Sequence, residues 1–267
     1  MDIGQLKEYI VSYSLNSCPL GNQGYNRVLI QLMGFLGHGK SSLINSCKYA
    51  LHNQVFKTHA ESGSADGGLT VVRNAYPLTH TITMVDNRGC AVLNPLETGE
   101  FYAQLGNFVP LNERVEWTKE FTDMLNLLED SDVEPNFTDI IVPIFVYSVK
   151  REIAANEVEE IKTFLKACRD LTGIFPIIVL THKTSGPFFK FRDLFEGMGA
   201  EEIFSVENYT SEDNLKTLGR HLQFLNLILK VLLNVNFRMS EERNPRKERA
   251  ERKKFLAKYF HERETQK

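Results

Sequence analysis

The sequence predicts an α/β fold of three layers: a mostly parallel β-sheet with one antiparallel edge strand, covered by helices on both faces. Three observations predict it. Short apolar runs alternate along the chain with segments whose apolar residues recur at helical spacing. A glycine-rich run, Gly34-Phe35-Leu36-Gly37-His38-Gly39-Lys40-Ser41, sits at a strand-to-helix junction. Two strand-like runs, residues 70–78 and 81–86, are joined by a tight Thr-His connection, a hairpin that supplies the antiparallel edge strand.

The elements follow in order. Residues 1–26 carry a short helical pattern (Leu6, Tyr9, Ile10, Tyr13) and a Cys-Pro-Leu-Gly-Asn turn, a lead-in packed on the edge of the domain. Arg27–Met33 is a compact apolar run bounded by turn residues, the signature of a buried strand. Beyond the glycines, Leu43, Ile44, Cys47 and Leu51 mark a helix. Residues 57–69 are polar and glycine-rich, hence a loop. After the hairpin come a helix around residues 117–128, a buried strand over 139–149 and a helix over 153–171. A third buried strand over 174–180, a short one over 202–206 and an apolar helix over 214–236 complete the domain. The main domain is therefore residues 27–237, and residues 238–267 form a charged, helical tail.

Composition excludes several classes. With 42% hydrophobic and 24% charged residues, 17 glycines and 9 prolines, the chain is neither collagenous, low-complexity nor a disulfide scaffold. A net charge of −3 gives no reason to expect nucleic acid. The tail holds 11 of the 31 basic and 6 of the 34 acidic residues, so it is +5 and the body −8. A basic tail with Phe255, Leu256, Tyr259 and Phe260 fits either a membrane or partner contact or an apolar seam packed on the domain; its acidic residues favour the seam. Cys18, Cys47, Cys90 and Cys168 are far apart and form no CxxC pair, which predicts reduced thiols and a cytoplasmic protein. The first residues are too polar for a signal peptide, Asp2 is not the glycine of myristoylation, and the last four residues are not a prenylation box. The apolar stretch 222–237 is broken by Gln223, Asn226, Lys230, Asn234 and Asn236, short of a membrane span. His59, His80 and His221 read as surface or capping residues, and Trp117 with its aromatic neighbours as core.

Gly34 to Ser41 fits G-x-x-x-x-G-K-S, the phosphate-binding loop of P-loop NTPases, with the flanking strand and helix that the chemistry requires. Glycines let the backbone wrap a phosphate with its N–H groups inward, and the following helix adds its positive end. On this reading Gly34, Phe35, Leu36, Gly37, His38 and Gly39 surround the phosphates, Lys40 neutralises them, and Ser41 with Ser42 opens the helix. Ser41 then supplies an oxygen to Mg²⁺. Asp86-Asn87-Arg88-Gly89 ends a strand as D-x-x-G, where Asp86 is a second Mg²⁺ ligand and Gly89 meets the γ-phosphate. Thr70 would complete the magnesium ligands, with Ser62 and Ser64 as competing hydroxyls. Cys90 stands where small GTPases carry a water-orienting Gln, so hydrolysis is expected to be slow, and no catalytic residue is assigned.

Thr181-His182-Lys183-Thr184 follows the third buried strand, where guanine-binding proteins carry [N/T]-K-x-D. Thr184, or Ser185 in a shifted register, replaces the aspartate that reads guanine. Residues 205–210, with Asn208, are placed beside the base. These segments, together with GFLGHGKSS and the apolar helix that follows, resemble the GTPase domain of interferon-induced protein 44 and its relatives over about residues 25–235. That family belongs with the dynamin-like or septin-like GTPases of the Ras-like class. The resemblance implies a Ras-like G domain and a cytosolic guanine-nucleotide-binding protein linked to innate immunity. In the family the strand end reads T-H-x-D, so Thr181 and His182 match and Thr184 departs from it. The expectation is a Mg²⁺-dependent GTP/GDP-binding switch or self-assembling module, a homo-oligomer through its nucleotide face, with slow GTPase activity. Two alternatives stay open: a pseudo-GTPase interaction module, and an NTPase that also accepts ATP.

Overall fold

The backbone hydrogen bonds of six strands join into one sheet in the order β2-β3-β1-β4-β5-β6. The structure, a computed structural model, describes residues 2–52, 55–61, 72–113, 120–131 and 138–265. β1 (Arg27–Met33), β3 (Ile82–Asp86), β4 (Asp139–Ser148), β5 (Ile177–Thr181) and β6 (Ile203–Ser205) run parallel, and β2 (Asn74–Pro77) pairs antiparallel with β3. β1 lies at the centre, with Val28 opposite both Ile82 and Ile140. All ten residues of β4 are buried, as expected where a strand is covered on both faces.

Alternation along β4 sorts the core into two halves. Ile140, Val142, Ile144 and Val146 face one apolar cluster. That layer holds α1 (Ile3–Ser12), α2 (Lys40–His52) and α7 (Leu218–Arg238). Ile141, Phe145 and Tyr147 face the other, built from α3 (Pro95–Leu105), α4 (Phe121–Asp130), α5 (Ala155–Thr172), α6 (Phe188–Gly197) and α8 (Pro245–Glu264). The protein is thus a three-layer α/β fold with a mostly parallel sheet.

Some boundaries differ from those of the sequence reading, for local reasons. The hairpin strands are shorter, at Asn74–Pro77 and Ile82–Asp86; Leu78 and Thr79 form the turn by donating to Ile82 O. The start of the first run, with Thr70, and Ser62, Ser64 and Trp117 lie outside the described residues. α7 begins at Leu218 rather than at residue 214, because the Thr217 side chain caps it by accepting from Arg220 N. α3 and α6 are additional helices; Asn94 caps the first by accepting from Glu97 N. His221 is buried, not at the surface: its Nδ1 lies 2.6 Å from the Tyr209 hydroxyl.

The charged tail packs as α8 against α3, α4 and α5, with Leu256 and Phe260 fully buried and Arg252 buried beside them. The four cysteines are buried and free. Among the described residues no helix is long and apolar enough to cross a membrane. The chain leaves β1 for β3 over one face and leaves β3 for β4 over the other. This reversal opens a crevice at the carboxyl ends of the strands, where open α/β sheets hold ligands.

Candidate functional site

The 34–39 loop lies in that crevice, and its glycines are required by geometry. At Gly34, φ is +139°, and a Cβ would lie 2.2 Å from Val146 O of β4. Gly37 and Gly39 also have positive φ, +73° and +91°. The loop is fixed at both sides: Leu36 N donates to Cys90 O at 2.9 Å, and Gly39 O accepts from Asn208 Nδ2 at 3.1 Å. Leu43 N closes the first helical bond onto Gly39 O. The N–H groups of Gly39, Lys40, Ser41 and Ser42 therefore precede the intrahelical ladder, at the positive end of α2. Phe35 anchors the loop from below, packed on Phe145 and Tyr147, while Leu36 is exposed.

Lys40 is buried and folds back under the loop, its Nζ donating to Gly34 O at 3.2 Å and Phe35 O at 3.0 Å. Burial pushes its pKa down; the Asp86 charge opposes that. The ammonium has three donors, and the structure gives it two acceptors. Gly89 brings its backbone close: a Cβ there would lie 2.6 Å from Lys40 Nζ and 3.0 Å from Leu36 N. Ser41 Oγ donates to Asp86 Oδ2 at 2.5 Å. The other oxygen, Asp86 Oδ1, is buried without a hydrogen-bond partner among the described residues. Burial raises the Asp86 pKa against the opposing effects of Lys40 and Ser41.

The turn after β3 rests on a polar network that sequence reading missed. Arg73, fully buried, donates to Gln31 Oε1, Asn87 Oδ1, Asn107 Oδ1 and the carbonyls of Gln104 and Val109. Asn87 Nδ2 and Arg88 N in turn donate to Gln31 and Gln104. Five acceptors compensate the guanidinium, although burial lowers its pKa to about 9. Nothing in the spacing of these residues pairs them; the pairing of β1 with β3 and of β3 with β2, which Arg73 directly precedes, does.

Three more strand ends close the crevice. His38 is buried, and its Nδ1 accepts from Ser148 N at 3.1 Å. Burial, with Lys40 and Arg151 nearby, lowers its pKa to about 3, so the ring is neutral. Thr181 Oγ1 donates to His38 O at 2.9 Å, tying β5 to the loop. His182 adopts a left-handed backbone (φ +58°), with Nδ1 at 3.0 Å from Ser148 Oγ. Lys183 and Thr184 are exposed. Thr184 donates both its N–H and its hydroxyl to Glu207 Oε2, at 3.1 and 2.8 Å. The structure therefore gathers Gly34, Phe35, Leu36, Gly37, His38, Gly39, Lys40, Ser41, Ser42, Asp86, Gly89, Thr181, His182, Lys183 and Asn208 at one end of the sheet. Thr70 falls outside the described residues. Ser148 and Arg73 join the site without a sequence signal of their own, and Glu207, inside the 205–210 segment, enters through its side chain.

No protein-family model and no curated protein matches the chain. Among solved structures it is similar to a Thermus thermophilus protein, at 15% identity and a TM-score of 0.35, over 66% of this chain and 22% of that one. It is also similar to a mutation variant of SsGBP, at 19% identity and a TM-score of 0.35, over 79% of this chain and 57% of that one. The chain thus spans about a fifth and somewhat over half of those two proteins.

Proposed function

We propose that this chain binds a guanine nucleotide, GTP or GDP, with Mg²⁺ at the 34–41 loop, as a P-loop GTPase of the Ras-like class related to interferon-induced protein 44. One pairing supports this above all. A buried ammonium, Lys40, lies close to a buried carboxylate, Asp86, and among the described residues each keeps a donor or an oxygen without a hydrogen-bond partner. Such charges are expensive in protein alone; a phosphate for Lys40 and a cation for Asp86 would satisfy both. The donor set fits the cation: Ser41 and Asp86 offer two hard oxygens, and phosphate and water would supply the rest. Bound Mg²⁺ would neutralise charge on the phosphate oxygens. The residues of the chain do the holding. Gly37 and Gly39 turn the N–H groups of the loop inward, Lys40 clamps, and Gly89 offers its N–H to the terminal phosphate.

Slow turnover follows from Cys90. It is buried, and burial pushes its thiol up to about 12, so it neither orients nor deprotonates a water at neutral pH. That observation favours, as a second reading, a nucleotide-holding module whose hydrolysis awaits a group from a second copy meeting it at the nucleotide face. We propose a cytoplasmic location from the free cysteines and the family resemblance together, and an immune role from the resemblance alone. Thermal unfolding with Mg²⁺ and GTP, GDP or ATP tests the assignment. Nucleotide at 100 times its Kd should add about 2.7 kcal/mol, and no shift with any nucleotide overturns it.

A further inference from the structure

We propose that Glu207 is the carboxylate that reads the base, accepting hydrogen bonds from the ring N1–H and exocyclic amine of guanine. The inference rests on the nucleotide reading above. A guanine-selective site needs a fixed acceptor pair at the end of β5, and Thr184 offers only a hydroxyl there. Thr184 instead donates its N–H and Oγ1 to Glu207 Oε2, which draws that carboxylate to the position. A carboxylate has about four acceptor sites. Thr184 uses two on Oε2, and Oε1 has no protein donor among the described residues.

The backbone that carries Glu207 is held from behind as well. Arg220 of α7 donates Nε to Glu207 O at 2.9 Å, Nη2 to Asn208 O at 2.6 Å and Nη1 to Asp213 Oδ1 at 3.0 Å. Its guanidinium lies 4.1 Å from the Tyr209 ring centroid. The neighbouring Asn208 reaches Gly39 O, which sets Glu207 one residue from the loop that would hold the phosphates. The two acceptor sites left on Oε1 would match the two donors of guanine. Adenine presents a ring-nitrogen acceptor at that edge, which a carboxylate repels, so the pocket selects guanine without an aspartate at position 184.

The test measures binding of GDP, xanthosine diphosphate and ADP, each with Mg²⁺, to the full chain and to Glu207→Gln and Glu207→Ala by titration calorimetry. Glu207→Gln keeps an oxygen for Thr184 but turns the other, base-facing oxygen into an amide donor, which suits the second carbonyl of xanthine. Expected is a loss of about 30-fold in GDP affinity and a fall of the GDP-to-xanthosine-diphosphate ratio by a larger factor; Glu207→Ala should weaken GDP without the xanthine gain. If the wild type prefers GDP and both variants keep that affinity and preference, Glu207 merely caps the turn at residues 183–185 and the proposal falls alone. Equal wild-type binding of GDP and ADP also overturns it. A wild type that binds no nucleotide overturns this proposal together with the reading beneath it.

Discussion

The His38 ring accepts the Ser148 backbone N–H at 3.1 Å, so a loop residue and the end of the adjacent strand are joined through a neutral imidazole. The contact is buried between Phe35 and Tyr147, whose ring centroids lie 5.3 and 4.7 Å from that of His38. Protonation would destroy the acceptor and place a charge beside Lys40.

His38 therefore makes the fold acid-sensitive. Its pKa falls from 6.5 to about 3 on folding, so between those values the unfolded chain holds a proton that the folded one does not. Stability from this residue is complete above pH 6.5 and declines as pH falls toward 3, by about 1.4 kcal/mol per pH unit. His38→Asn keeps an acceptor for Ser148 N but cannot titrate. Its denaturant midpoint should fall less steeply from pH 6.5 to 4.5 than that of the wild type, and parallel profiles would refute the assignment.

Lys40→Met separates binding from folding. Burial lowers the Lys40 pKa, so below 10.5 the ammonium opposes folding in the absence of ligand. The variant should lose all stabilisation by nucleotide while its unfolding without nucleotide shifts little, because relief of the buried ammonium is offset by leaving the Asp86 carboxylate without its neighbouring charge. A variant that loses stability in parallel with binding would mark Lys40 as structural.

Asp86→Asn keeps an acceptor for Ser41 and removes the charge. Nucleotide affinity measured with and without Mg²⁺ should differ in the wild type and converge in the variant. A variant whose affinity still rose tenfold with Mg²⁺ would remove Asp86 from the cation site.

Two glycines of the site should behave differently. Gly89→Ala meets a side-chain tip, Lys40 Nζ at 2.6 Å, and the loop backbone only at 3.0 Å or beyond, so it should fold at a smaller cost and lose nucleotide binding. Gly34→Ala meets Val146 O at 2.2 Å with φ at +139°, and should cost more than about 3 kcal/mol. Circular-dichroism melts of the two variants check the contrast.

Phe260→Ala addresses the tail. Phe260 is fully buried against Phe121 and Gly99. Truncation should cost about 3–5 kcal/mol in urea unfolding. A cost near zero would mean that α8 is a solvated helix.

The sequence alone determined the central strand and the helix after it, Arg27–Met33 and Lys40–His52, because a buried apolar run and a 3.6-residue period are local signals. It also determined the glycines at 34, 37 and 39, since each needs a backbone that other residues avoid. Only the tertiary structure decided which partners meet. Arg73 finds Gln31, Ser41 finds Asp86, and Thr184 finds Glu207 because strand register and crossovers bring distant segments together. A hydrogen bond across 45 residues leaves no periodicity in the chain; it exists only once the sheet has set the distance.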